Sequence, residues 1–518
     1  MNLIKAMATV AGMTGLSRIT GFARDILTAA ILGAGPVADA FFIALKLPNL
    51  FRRITAEGAF SVSFVPLYAK TLESEGEESA ARFAGNAFSV MLAALSVFVT
   101  VCMILMPYVL YAIAPGFADD PERYNLSVEF SRITFPYLLL MSLTALLGGV
   151  LNAHNRFAPF AFVPVLFNLS LIAALLLGSY FPTPGHAMSW GLLASGFFQL
   201  LFLWVCMRRA KVKIVISKPR FDDKKIRRVF RLMGPGLIGA GVMQINLFAD
   251  IMIASFLKEG SISYLYYADR LNQLPLGTVG IAVGTALLPM LARAMAKAEK
   301  DEAVDLFNRA LEYCLILALP AAIALAVMPQ TLITVLFERG AFTAQDSLET
   351  AGALACYAIG LPAYIAIKVF STAHWARHDT KTPVKISVLG VLLNIAVALA
   401  LINWLGVAGI ALATGLSGWI QYIAHVRALK NHPQVHFDER FHHNIPRIVL
   451  ASCLMGAGVY ILATLLQGIT MGDSGQVIKI AALGGLVAAG GTIYGAAIFS
   501  LGVLKIQDLK KYMIRKGP

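Results

Sequence analysis

Charge is what this chain has least of: 14% of its 518 residues are Asp, Glu, Lys or Arg, against 58% apolar residues and a mean hydropathy of +0.72. A chain so poor in charge cannot clothe a set of soluble domains, and lipid is left as the solvent for most of it. Cysteine is scarce as well. Cys102, Cys206, Cys314, Cys356 and Cys453 stand singly in apolar segments, with no CxxC or Cys/His spacing, which argues against disulfides and metal and reads them as packing residues. There is no Walker loop, HExxH or nucleophile elbow, and no soluble stretch large enough to hydrolyse ATP. The expectation is a protein that is not an enzyme, with no catalytic residues, no cofactor and no metal, driven by an ion, voltage or substrate gradient. A cleavable leader is also missing: the first apolar run holds Arg18, Arg24 and Asp25 and lacks a small-residue cleavage site, so it reads as a retained span.

What is abundant is long apolar sequence. Runs of about 20 or more residues, long enough to cross a hydrocarbon core of about 30 Å, recur throughout. Gly, Pro and charge punctuation divides them into fourteen expected spans near 5–32, 36–68, 80–114, 126–151, 157–181, 186–207, 228–257, 262–293, 304–337, 346–374, 382–403, 406–428, 446–467 and 477–504. The formal charge of +14 is concentrated in short connections, which argues against nucleic acid as a partner. From Arg208 to Arg231 there are eleven basic residues against Asp222 and Asp223, whereas 115–125 carries Asp119, Asp120 and Glu122. By the positive-inside rule the basic loop is cytoplasmic, and an even number of spans puts both termini there too.

The sequence also resembles itself. Phe22-Ala23-Arg24-Asp25-Ile26 has a counterpart in Phe248-Ala249-Asp250-Ile251, and Lys46-Leu47-Pro48-Asn49-Leu50 one in Arg270-Leu271-Asn272-Gln273-Leu274, at offsets of 224 to 226. Pro66 and Pro289 close spans in similar contexts. The expected architecture is an all-α polytopic membrane protein: two pseudo-symmetric six-helix lobes, 1–209 and 228–431, around a central cavity, joined by the basic linker 210–227. Two further helices follow at 445–505.

An ionisable group at mid-bilayer costs at least a few kcal/mol unless it faces protein or water, so intramembrane charges mark pathways. They gather in the first, second and eighth spans: Arg18, Arg24, Lys46, Arg52, Arg53 and Arg270 are six cations against the four acids Asp25, Asp39, Glu57 and Asp269. Internal ion pairs would use up as many cations as there are acids, and the remainder calls for an external anion. Arginine's planar fork suits phosphate oxygens and keeps its charge in a low-dielectric cavity, which points to a diphosphate. Gly12, Gly15, Gly21, Pro48 and Gly58 interrupt these spans and would let them bend.

Pro48-Asn49-Leu50-Phe51-Arg52-Arg53, Ala56-Glu57-Gly58-Ala59-Phe60 and Phe64-Val65-Pro66, with Ser17-Arg18 and Gly21-Phe22-Ala23-Arg24-Asp25, carry a resemblance. Together with Ala268-Asp269-Arg270-Leu271 and Asp379-Thr380-Lys381-Thr382-Pro383, they resemble the MurJ (MviN) lipid II flippase family of the MOP exporter superfamily. The resemblance covers essentially the whole chain. It implies alternating-access flipping of undecaprenyl-diphosphate-linked disaccharide pentapeptide from the inner to the outer leaflet of the bacterial cytoplasmic membrane, for peptidoglycan synthesis. It further implies that Arg18, Arg24, Arg52 and Arg270 bind substrate, with Asp25, Asp39, Glu57 and Asp269 as supporting carboxylates. The partners implied are lipid II, membrane lipids and the cell wall synthesis or division machinery, for a monomeric carrier. Asp250 and Asp379 match the carboxylates of a sodium site held by some relatives, but Trp375 and Ile395 stand where further oxygens would be wanted. A related polysaccharide-lipid flippase or multidrug exporter, and a membrane scaffold, are the competing readings. Cationic drugs would call for acids and aromatics in the cavity, and a scaffold for no surplus of buried cations.

Overall fold

The computed structural model describes residues 3–53, 60–282, 287–296, 300–430 and 435–504, and every regular element among them is a helix. Glu57 and Gly58 lie outside the described residues. Nine of the described helices are long and apolar enough to cross a membrane, which makes this a multi-pass membrane protein. Helices α1 (Leu3–Leu32), α2 (Pro36–Arg52), α9 (Lys224–Ser255) and α10 (Ser261–Ala282) are not among the nine. Three of these four, α1, α2 and α10, carry the intramembrane charges singled out from the sequence.

Several expected spans are broken, each for a local reason. Span 80–114 becomes α3 (Ser61–Ile104) and α4 (Met106–Ile113), parted where Leu105 precedes Met106-Pro107; α3 itself kinks at Gly76, whose φ is 84°. Span 126–151 becomes α5 (Pro121–Thr134) and α6 (Tyr137–Ala153), parted at Phe135-Pro136, and 304–337 becomes α12 (Lys300–Val327) and α13 (Pro329–Phe337), parted at Met328. Proline removes a ladder donor at each break, and before Pro329 the preceding residue, Met328, also leaves the helical region (φ −126°, ψ 43°). The segment α15 (Lys381–Leu429) is two helices in succession, parted at Gly406, whose backbone (φ 52°, ψ −125°) is not helical, in line with the expected spans 382–403 and 406–428.

The repeat is visible in backbone geometry. Asn155 after α6 and His378 after α14 (Ala344–Ala376) are both non-glycine residues with φ of 59°, and they stand 223 residues apart. Asp120 and Thr343, the same distance apart, both cap a helix by accepting a backbone N–H, of Arg123 and Asp346 respectively.

The chain divides into two compact units, Met1–Ser263 with Arg339–Phe342, and Tyr264–Glu338 with Thr343–Pro518. In the first, α1 packs on α7 (Phe157–Leu176), α7 and α6 on α8 (Pro184–Arg209), α2 on α5, and α3 on α6 and α9. The division thus falls at 263/264, beyond the basic linker, and α9 packs with the first unit. In the second, α14 packs on α12 and α15. Here Gly360 and Gly415 let two backbones meet: a Cβ on Gly360 would lie 2.5 Å from Gly415 Cα. The last helices, α16 (Glu439–Leu465) and α18 (Gln476–Ser500), pack on each other, and α16 on α12.

Candidate substrate site and its supporting charges

On α1, Arg24 and Asp25 are both buried, 7% and 5% exposed. The Arg24 Nη2 donates to Asp25 Oδ1 at 2.6 Å, and its Nη1 to Asn168 Oδ1 on α7 at 2.9 Å. Its guanidinium also lies 5.5 Å from the Phe167 ring centroid. Asn168 in turn donates to Ser17 O at 3.0 Å, one turn before Gly21, where a Cβ would stand 3.3 Å from its Nδ2. A neutral amide on an apolar helix therefore holds Arg24 and a backbone carbonyl of α1 together. Arg18, half-buried on the same helix, makes no hydrogen bond or ion pair with any described residue.

On α2, Asp39 is fully buried. Its Oδ1 accepts from Ser263 N at 2.9 Å and Ser263 Oγ at 2.7 Å, and its Oδ2 from Gly260 N at 2.8 Å. The start of α10 is a set of unsatisfied N–H groups with partial positive charge, and a carboxylate is a natural cap for it. Arg123 stands 3.5 Å from Asp39 Oδ2; it also pairs with Asp120 at 2.7 Å and lies 4.3 Å over the Phe117 ring. Asp39 therefore neutralises Arg123 and caps α10. Further along α2, Lys46 is half-buried beside Leu50, Phe248 and Ile251; Arg52 is half-buried and Arg53 exposed. On α10, Asp269 accepts from Gln273, and half-buried Arg270 lies with its guanidinium 4.5 Å from the Tyr266 ring centroid.

The two residues matched to an ion site have other partners. Asp379 Oδ1 accepts from Thr382 N at 3.0 Å and Lys381 N at 3.2 Å, and Oδ2 meets His374 Nδ1 at 3.1 Å. The Thr382 amide at the start of α15 is the main cause that holds this carboxyl down at about 2. Asp250 accepts from Asn246 at 3.4 Å. The Asp379 oxygens are thus engaged by a helix start and an imidazole, and an Asp250 oxygen by a side-chain amide.

Sequence reasoning missed three residues. Arg123 is hidden in a loop read only for its acids, and Asn168 carries no charge to count. The third is Glu312 on α12, fully buried, which accepts from Arg309, from Asn444 on α16 at 2.9 Å and from Arg440 at 3.4 Å. Arg309 also pairs with Asp438 at the α16 N-cap.

Comparisons with known proteins agree with this geometry. The family model described as lipid II flippase MurJ matches residues 28–474. The chain is 41% identical to "Probable lipid II flippase MurJ" of Rhizobium meliloti (strain 1021), covering 99% of this chain and 97% of that one. It is 34% identical to the protein of the same name from Rickettsia prowazekii (strain Madrid E), covering 99% and 100%. Among solved structures it resembles a lipid II flippase MurJ in an inward closed conformation, with TM-score 0.78 at 26% identity over 94% of this chain and 97% of that one. An inward-facing multidrug resistance MATE transporter of the MOP superfamily shares the fold, with TM-score 0.69 at 14% identity over 82% and 99%. On the match across most of its length, the chain belongs to the MurJ family of lipid II flippases.

Proposed function

We propose that this protein moves lipid II, a prenyl-diphosphate-linked peptidoglycan precursor, from the inner to the outer leaflet of the bacterial cytoplasmic membrane by alternating access. Arg18, Arg24, Arg52 and Arg270 supply its anion-binding groups. The observation that carries the reading is the use made of the nearby acids. Asp25 is spent on Arg24, and Asp39 on Arg123 and the Gly260 and Ser263 amides, so neither acid is given to Arg18, whose positive charge on α1 is left for a guest. Arginine at these places favours diphosphate over a cationic drug. Arg24, held by Asp25 and Asn168, shapes α1 against α7 as well as contributing charge. Glu57 is assigned to the support of Arg52. The basic segment 210–227 faces the cytoplasm with both termini, in a monomer of fourteen spans in which 1–209 and 228–431 act as lobes and 445–505 as an added pair.

The deciding experiment is a leaflet-specific lipid II assay in cells depleted of the native flippase. An Arg52→Ala, Arg270→Ala double variant is expected at normal membrane abundance with flipping lost. Arg→Lys at the same positions is expected to rescue little, because each charge-assisted bond lost costs about 1.5–3 kcal/mol and tenfold needs only about 1.4. Normal flipping by the well-expressed double variant would end the anion-site reading.

A further inference from the structure

An apolar cleft lies between α3 and the first turns of α9, lined by residues that include Phe60, Val90, Met91, Ile226, Val229 and Met233. The flipping chemistry makes no use of it. Ile226, Val229, Phe230 and Met233 follow one another at helical spacing and form one stripe along α9. Ile226 and Val229 are 2% and 3% exposed, whereas Phe230 is 46% exposed. Arg227, exposed, borders this stripe next to Ile226 and Phe230, and Arg231, also exposed, stands one turn further along α9. On the other border Lys225 is held by Glu75 at 2.6 Å and sits 5.8 Å over the Phe83 ring, so its charge is already met.

Helix α9 starts directly after the exposed basic stretch 213–221, held on α3 by Val215 N to Ala81 O at 3.1 Å and Arg220 N to Asn86 Oδ1 at 2.9 Å. Its first turns therefore stand where water gives way to lipid. A cleft whose one polar lining side chain, Ser142, donates back to Leu138 O of its own helix, beside two exposed guanidinium groups at that boundary, complements a molecule with a hydrocarbon chain and an anionic head. We propose that the cleft between α3 and α9 binds one acyl chain of an anionic glycerophospholipid, whose phosphate is held by Arg227 and Arg231. The site rests on the membrane reading alone and is independent of which substrate is flipped.

The test uses the full chain in nanodiscs doped with phosphatidylglycerol bearing a photoreactive group within one acyl chain, with crosslinked peptides mapped by mass spectrometry. Adducts are expected on 87–95 and 226–233, competed by excess phosphatidylglycerol and weakly by phosphatidylcholine. Arg227→Ser and Arg231→Ser are each expected to lower the yield roughly fivefold, and Ala94→Trp, which fills the cleft, to remove it. Adducts spread evenly over lipid-facing positions of α8 and α18 would overturn the proposal. So would displacement by undecaprenyl phosphate in preference to phosphatidylglycerol, which would make the cleft part of the substrate path. The wild-type map decides even if a variant does not fold.

Discussion

Glu312 and Arg18 are both ionisable side chains set in long membrane helices, yet their surroundings differ in kind. Around Glu312, side chains from α12 and from the start of α16 supply Arg309, Arg440 and Asn444, and the carboxylate is fully buried. Around Arg18 the described residues supply no polar partner, and the side chain remains half-exposed. Burial of a charge is tolerable only with partners in place. Where the protein provides them all, the charge fastens helices; where it leaves one out, solvent or a ligand completes the set. Arg24 falls between the two, since α1 and α7 hold its fork through Asp25 and Asn168.

The contrast can be broken most forcefully at Glu312. Replacing it with Ala removes the acceptor shared by Arg309, Arg440 and Asn444, leaves Arg309 with Asp438 and Asp305, and is expected to cost about 2–3 kcal/mol of stability, read as a lower melting temperature and lower membrane abundance. Protein that survives is expected to flip substrate normally, and a transport defect at unchanged stability would erase the distinction. Arg18→Ala is the converse: melting is expected to stay put while flipping drops about tenfold or more, as one charge-assisted bond of about 1.5–3 kcal/mol disappears. A melting shift as large as that of Glu312→Ala would give Arg18 the same fastening role.

Asp39→Asn sharpens the comparison from the side of a spent acid. It removes the charge facing Arg123 and one acceptor of the α10 amides, at a cost of about 1–2 kcal/mol. Hydrogen exchange at Gly260 and Ser263 is the direct readout, expected to quicken by about tenfold. The smallest effect belongs to Asp379. Its carboxyl is held at about 2, below the ordinary value of 3.8, so its contribution to stability is present in full above about pH 4 and fades as pH falls towards 2. The group is partly exposed, and solvent screening keeps the effect small. Melting curves of the wild type and Asp379→Asn are expected to converge as pH falls from 5 towards 3.

Much of this was readable from the chain. Helices α1, α8, α14 and α18 lie within a few residues of the expected apolar runs, because lipid demands backbone hydrogen bonding over a known length, whereas α2 ends at Arg52 and α3 begins at Ser61, far from the expected bounds of 68 and 80. The internal offset reappears as matched turns at Asn155 and His378. What escaped was charge that cancels locally or never registers. Arg309 and Glu312 sum to nothing in a charge count, Asn168 adds nothing to it, and Arg123 is outnumbered by Asp119, Asp120 and Glu122. Asp39 was visible as a carboxylate, but its partners Gly260 and Ser263 are backbone amides and a hydroxyl, which no pattern of charge can reveal.

That pairing also imposes an order on biosynthesis. Asp39 is joined to residues made 221 and 224 positions later. At a synthesis rate of about 5–20 residues per second, its buried carboxylate waits roughly 10 to 45 s for those amides. Arg123 emerges 84 residues after Asp39 and well before Gly260, and it comes to lie against the same carboxylate. While the rest of the chain is still being threaded into the membrane, Arg123 is the counter-charge that lets α2 stay in place.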